Sequence, residues 1–207
     1  MTKKIIISII ALLIVAVCTY LFWPKKGHKS LEVDISDVKK EVTIKHFDDA
    51  FFTSSTQNFT AELKSLQANF PPFFTTDTDP GFWLSQRNDE GQNMLYRDWK
   101  KRNPDYKSFD NDLSEAFKHL YFYYPEIPEI SAFTYISNLD FDYPVLLADK
   151  FLFCAVDMYL GKNHPAYKQE NSYFNYYRPA EFLVPDAMEQ FAPNYAAKAL
   201  DNNTLLN

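Results

Sequence analysis

Two apolar runs in the second half of the chain predict a pair of buried strands. The runs are Val145–Ala148 and Phe151–Val156, and Asp149-Lys150 between them is a two-residue loop of hairpin length. The second run is apolar at every position, so both faces of that strand must be covered by other elements. We therefore expect it to be a central strand of its sheet.

Elsewhere, apolar residues recur at either strand or helix spacing. Two segments alternate as strands do, Glu41–Phe47 and Ile130–Ile136. Three segments repeat apolar residues every three or four positions, as helices do, at 59–69, 92–102 and about 110–123. We expect Asn58 to cap the first of these helices and residues 73–81 to be irregular. Two short helices are predicted at Asp186–Phe191 and 194–200.

The order of the predicted elements indicates the fold class. One strand comes first, several helices follow, and the remaining strands are adjacent in the chain, which favours an α+β fold over repeating βαβ units. Because neighbouring strands joined by a tight turn pair antiparallel, we expect a small, mostly antiparallel sheet with packed helices, preceded by an N-terminal membrane-anchor helix.

The N-terminal region differs from the rest. Residues 5–23 carry no formal charge, and as a helix they would span roughly 28 Å, close to the hydrocarbon thickness of a bilayer. We read residues 1–4 as a cytoplasmic n-region, 5–23 as a transmembrane anchor or signal, and 24–40 as a tether. An uncleaved anchor, a cleaved signal and a lipoprotein signal acylated at Cys18 all remain open. Each places residues 41–207 outside the cytoplasm, facing the periplasm, with the choice between inner and outer membrane undecided.

Charge and glycine usage exclude several classes of function. Residues 30–207 hold 16 basic and 27 acidic side chains, and so acidic a body repels phosphate backbones, which excludes nucleic acid as a partner. The four glycines are too far apart to form a nucleotide-binding loop.

The sequence predicts no catalytic, cofactor-binding or metal-binding residue. It has no HExxH motif, no cysteine–histidine set with zinc spacing and no nucleophile elbow. We interpret His46 as a hydrogen-bonded histidine rather than a ligand, and Cys154 as an inert thiol inside a buried strand. Four aspartates around the hairpin are expected to stabilise turns and caps, and Asp157, directly after the buried run, must be hydrogen-bonded. The other three are Asp140, Asp142 and Asp149.

Two tyrosine-rich clusters are candidates for binding. Residues 121–124 lie at a helix end and are expected to be mostly core. The second cluster lies in a polar loop and could contact a protein or a sugar. Its candidate residues are Tyr173, Tyr176 and Tyr177.

Several short motifs, taken in order, resemble one known family. The first is residues 42–48, followed by Phe51-Phe52 and residues 122–125. The most informative is residues 157–161, in which Asp157, Tyr159 and Gly161 form a family-like structural motif, and residues 184–188 follow. With these motifs the chain resembles the gliding-motility lipoprotein B (GldB) family, which is similar in pattern to a group of proposed zinc peptidases but lacks their HExxH.

The resemblance implies a membrane-anchored envelope protein that supports gliding motility and the associated type IX secretion machinery through contacts with envelope proteins. It supplies no reaction and no cofactor. Two alternatives remain, a degenerate zinc-peptidase-like enzyme whose catalytic half is absent, and an envelope glycan-binding module. Family members have a clear lipoprotein cysteine, whereas Val17 precedes Cys18 here, and they continue beyond residue 206. We therefore expect a C-terminally short member or a fragment.

Overall fold

The computed structural model describes residues 33–76, 79–161, 163–169 and 179–193. The described strands are β1 (Thr43–His46), β2 (Ser131–Tyr135), β3 (Val145–Ala148) and β4 (Phe151–Ala155). The described α-helices are α1 (Phe47–Thr53), α2 (Phe59–Asn69), α3 (Pro80–Asn88), α4 (Glu90–Arg102), α5 (Lys107–Tyr123) and α6 (Leu183–Glu189). Short 3-10 turns occupy Pro71–Phe74, Val156–Tyr159, Pro165–Gln169 and Ala180–Phe182.

The four strands form one mixed sheet in the order β1-β2-β4-β3. The α+β class is confirmed, but the expectation of a mostly antiparallel sheet is wrong. β1 pairs parallel with β2, and β2 pairs parallel with β4, while only β3 and β4 pair antiparallel. The reason is the path of the chain. β3 runs back along the sheet and the hairpin then reverses the chain again, so β4 starts from the same edge as β2.

The predicted hairpin and its central strand are confirmed. Val145 pairs with Cys154 and Ala148 with Phe151, which leaves a two-residue loop in which Asp149 has a φ of 55°. β4 lies between β2 and β3, and its two faces contribute to two different apolar clusters. Leu152 and Cys154 belong to the first cluster, while Phe151 and Phe153 pack against the second.

These two clusters form the core. The first joins the sheet to α4, α5 and α6 and contains the fully buried Leu113, Phe117 and Leu183. The second is mostly aromatic and contains Phe133 of β2, Phe51 and the neighbouring phenylalanines of α1, and two leucines of α2. Because side chains from helices cover both sheet faces at the centre, β2 and β4 carry apolar residues on both faces, as is usual for parallel strands.

Most helix predictions hold, with differences at the ends. α2 has the predicted bounds, and its apolar stripe of Phe59, Leu63, Leu66 and Phe70 is buried. The predicted Asn58 cap is wrong, since its side chain makes no capping hydrogen bond. α4, α5 and α6 each begin two or three residues earlier than expected.

Helix α3 was not predicted, because none of its residues is buried and no apolar stripe marks it. The sequence nonetheless contains two signals for the start of this helix. Asp79 accepts a hydrogen bond from the backbone N–H of Phe82 at 2.9 Å, and Pro80 occupies the first helical position.

The aromatic cluster at the end of α5 is only partly core, contrary to expectation. Tyr121 is buried, but Phe122 is 44% exposed and Tyr123 is 57% exposed. Successive residues of a helix point in directions about 100° apart, so one stripe cannot bury all of them.

No α-helix of the described residues is both long and apolar enough to cross a membrane. The predicted anchor at residues 5–23, with Cys18, and the predicted helix at 194–200 lie outside the described residues.

Candidate functional site

The carboxyl ends of three parallel strands meet at one edge of the sheet, and polar side chains gather there. His46 ends β1, and Asp48 follows it in the first turn of α1. Thr134 lies next to the end of β2, and Asp157 comes two residues after β4. Because open α/β sheets usually bind ligands at this edge, it is the candidate functional site.

We define the carboxyl-edge cluster as His46, Asp48, Tyr106, Asp110 and Thr134. Its centre is the Asp48 carboxylate, which is fully buried. Thr134 Oγ1 donates a hydrogen bond to Asp48 Oδ1 at 2.5 Å, and Tyr106 Oη donates a short hydrogen bond to Oδ2. Burial raises the pKa of Asp48, and the hydrogen bonds from Thr134 and Tyr106 offset part of that rise.

His46 connects this buried carboxylate to the surface. Its Nδ1 lies 3.0 Å from Thr134 Oγ1, and its Nε2 lies 3.2 Å from Asp110 Oδ1. Because the Thr134 hydroxyl hydrogen points to Asp48, the hydroxyl oxygen accepts from His46 Nδ1–H. The ring also stacks on Tyr106, with centroids 3.8 Å apart. The prediction that His46 is a hydrogen-bonded histidine is confirmed.

Polar and charged side chains of α4 lie next to the carboxyl-edge cluster. Lys100 Nζ lies 3.0 Å from Asp49 Oδ1 and 4.3 Å from the centre of the Tyr106 ring. Tyr96 Oη donates to Asp49 Oδ1 at 2.8 Å. Burial pushes the pKa of Asp49 upward, but the hydrogen bonds from Lys100 and Tyr96 outweigh it and leave that pKa below its ordinary value.

The order Thr134–His46–Asp110 has the connectivity of a nucleophile, base and orienting carboxylate. However, Thr134 is fully buried and its hydroxyl donates to Asp48, so its Oγ1 is not exposed to solvent and His46 is not positioned to take its proton. The same bonds join β1, β2, α1 and α5. The arrangement therefore serves to hold these elements together and to link the buried Asp48 to the half-buried Asp110.

Asp157 organises the other end of this edge. Its carboxylate accepts hydrogen bonds from the backbone N–H of Ser137 at 2.9 Å and of Leu139 at 2.8 Å. Both Asn138 and Leu139 have positive φ, at 61° and 63°, so the turn they form is held in an unfavourable backbone region. Burial raises the pKa of Asp157, and the two backbone N–H groups oppose that rise. The prediction that Asp157 is hydrogen-bonded is confirmed.

The residues after Asp157 continue this network. Tyr159 Oη donates to Asp186 Oδ2 at 2.7 Å, which joins the segment to α6. Tyr167 Oη donates to the backbone oxygen of Asp157 at 2.6 Å and accepts from the N–H of Leu160 at 3.0 Å. Each polar group of this motif thus has a role in holding the fold.

The family model of the gliding motility protein GldB matches residues 28–207, well over half of the chain. The chain belongs to the GldB family. No curated protein and no solved structure matches it significantly. The family predicted from the sequence motifs is confirmed, and it links the chain to gliding motility and to lipoproteins.

Within this GldB-family chain, Gly161 shows why the motif ends in glycine. Its φ is 88°, and a Cβ at this position would lie 3.6 Å from Arg102 Nη1, so conformation rather than space is the constraint. We expect Gly161→Ala to lower the free energy of unfolding by about 1 kcal/mol. Gly161→Asn is the matched control, because asparagine tolerates positive φ better, and urea denaturation of both variants should show the smaller loss for asparagine. A larger loss for asparagine than for alanine would mean that side-chain volume, not backbone conformation, is the cause.

Two further candidate residues of this GldB-family chain, Cys154 and His164, are buried side chains. Cys154 is fully buried, and burial raises the pKa of its thiol to about 12, in line with the predicted inert thiol. His164 is buried, its Nε2 lies 2.9 Å from Asp98 Oδ2, and its Nδ1 accepts from the N–H of Ala166. No group of three or more potential metal ligands occurs in the part of the chain that the structure describes.

Sequence reasoning did not identify most of the carboxyl-edge cluster. Asp48 gave a signal, since it lies within the apolar run of residues 47–52 and would need a partner if buried. No sequence signal marked the other three residues, Tyr106, Asp110 and Thr134. The predicted contact residues Tyr173, Tyr176 and Tyr177 and the predicted lipid attachment residue Cys18 lie outside the described residues.

Proposed function

We propose that this GldB-family chain is a membrane-anchored cell-envelope protein that supports gliding motility and the associated type IX secretion machinery through protein contacts, without catalysing a reaction. The observation that carries the proposal is the family match over residues 28–207. Residues 5–23 attach the chain to the membrane, either as a span or as a lipoprotein signal acylated at Cys18, and the body faces the periplasm.

The use of the buried polar groups supports a binding role over a catalytic one. Asp48, Thr134 and Asp157 are polar side chains at the carboxyl edge of the sheet, and each is fully buried. Their hydrogen-bonding capacity is used on neighbouring elements of the fold. His46 and Asp110 are partly exposed, but their polar atoms are engaged with Thr134 and with each other.

The hairpin offers a surface for partner contact. Among the described strands β3 lies at the edge of the sheet, and an edge strand can add a strand from a partner through backbone hydrogen bonds. Tyr143, just before β3, is 57% exposed and Leu146 within it is 40% exposed. We propose that this edge, together with Tyr173, Tyr176 and Tyr177, contacts envelope proteins of the gliding machinery.

Complementation of a gene deletion tests this function. Loss of the gene in the source bacterium should abolish single-cell gliding, and the wild-type chain should restore it. A Tyr143→Ala/Leu146→Asp double variant, expressed at the wild-type level, should fail to restore gliding. Asp142→Asn is the matched control, because it changes an exposed neighbour of the same hairpin and should restore gliding fully.

Three outcomes would count against the proposal. Gliding that persists without the gene would remove the motility role. Restoration by the double variant would remove the hairpin as a contact surface. Stoichiometric zinc in the purified chain would favour a peptidase-like enzyme over a non-catalytic protein.

A further inference from the structure

An apolar groove lies between the second half of α5 and the end of α6. Its volume is about 320 Å³, and its lining contains no Asp, Glu, Lys or Arg. The lining side chains are Ala116, His119, Leu120, Tyr123, Tyr124, Met188, Phe191 and Ala192.

The groove exists because the two helices differ in length. α5 has 17 residues, about 25 Å of helix, whereas α6 has seven, about 10 Å. The main apolar stripe of α5 is buried in the first cluster, where Phe191 packs edge-on against Phe117 with ring centroids 5.4 Å apart. Beyond α6, the last turn of α5 is not fully covered by the described residues, and Tyr123 there is exposed. Apolar surface of this kind is normally buried against another apolar element.

We infer that residues 194–207 of this same chain occupy the groove, with Leu200 as the central side chain. The position of the segment in the chain is the first argument. Ala192 lines the groove, so residue 194 starts within about 7 Å of it. A segment tethered so closely has an effective concentration in the millimolar range, which a separate partner reaches only with difficulty.

Composition and length are the second argument. The segment has one lysine and one aspartate, so its side-chain charges balance, which fits a groove lined by no Asp, Glu, Lys or Arg. Its apolar residues at 196, 197 and 200 have the spacing of one helix face. Ala192 and Leu200 are eight positions apart, as are Ala116 and Tyr124 at the two ends of the groove-lining stretch, and eight positions of helix rise about 12 Å. A helical segment of that length would therefore match the groove.

Hydrogen exchange of the detergent-solubilised full chain tests this inference. In the wild type, backbone amides of residues 116–124 should exchange slowly. We expect Leu200→Asp to speed their exchange about tenfold or more, because it puts a charge into an apolar groove. A chain that stops after Pro193 should show the same increase, and exchange in β4 should stay unchanged as the internal reference for an intact fold.

Asn203→Asp is the matched control, since it adds the same charge at a polar position of the same segment and should leave exchange at residues 116–124 as in the wild type. Unchanged exchange in both Leu200→Asp and the shortened chain would overturn the inference. Protection that rises with protein concentration would also overturn it, because a second copy would then be the occupant.

Discussion

Replacing Asp157 with asparagine should cost about 2 kcal/mol of folding free energy, although the two side chains have nearly the same shape. Both carboxylate oxygens accept from fixed backbone donors, the N–H groups of Ser137 and Leu139. Asparagine offers one acceptor and one amide group, so a buried N–H is left facing another donor. Asp157→Ala should cost more, about 4 kcal/mol, because both N–H groups lose their partner. Urea denaturation of the full chain measures both losses.

The matched control for this prediction is Asp140→Asn, the same chemical change in the same turn. Asp140 is exposed, and its Oδ1 accepts from the N–H of Asp142 at 3.1 Å. We expect a change within about 0.5 kcal/mol, as for most surface substitutions. If Asp157→Asn and Asp140→Asn have the same effect, the buried carboxylate does not hold the turn.

Asp157 also shows how far sequence reasoning reaches. Its place directly after a run apolar on both faces implied that it would be buried and would need partners. Those partners could not be named, because Ser137 is 20 positions away and the turn depends on positive φ at Asn138 and Leu139. Positive φ is rare for leucine, so no residue pattern signals it.

The sheet, too, was only partly predictable from the sequence. The runs of apolar residues predicted each strand and the central place of β4, since those properties depend on local burial. Strand direction does not depend on local burial, because the path of the chain between two strands decides it. The segment between β1 and β2 is long enough to return the chain to either end of the sheet, so pattern alone could not distinguish parallel from antiparallel pairing.

The carboxyl-edge cluster was missed for a related reason. Asp48 and Thr134 are 86 positions apart, and Tyr106 reaches them from the start of α5, where it has a φ of 55°. Such a cluster exists only once parallel pairing has brought β1 and β2 together. The sequence places Asp48 among phenylalanines, but it indicates neither that Asp48 is buried nor which hydroxyl groups surround it.

Asp48 should respond to substitution differently from Asp157, because its partners are hydroxyl groups. Asp48→Ala should cost about 3 kcal/mol, since it leaves the buried hydroxyls of Thr134 and Tyr106 without an acceptor. Asp48→Asn should cost under about 1 kcal/mol near neutral pH, because a hydroxyl can rotate to accept from the asparagine amide while the other still donates to its oxygen. Urea denaturation separates the two variants. A loss for asparagine as large as that for alanine would show that the charge of Asp48 is required.

The pH dependence of unfolding, compared between the wild type and Asp48→Asn, tests how burial affects the charge of Asp48. Burial raises the pKa of Asp48 above its ordinary value of 3.8. The folded state then holds this proton more tightly than the unfolded state, so the stability that Asp48 contributes is greatest below 3.8 and falls as pH rises through the folded-state pKa. Asparagine has no such proton. The stability of Asp48→Asn relative to wild type should therefore rise between about pH 3.5 and about pH 5.5, a range below the ordinary pKa of histidine. Asp157 is present in both proteins, so its own titration cancels in the difference. A difference that falls with rising pH would mean that Thr134, Tyr106 and His46 stabilise the charged carboxylate more than burial opposes it.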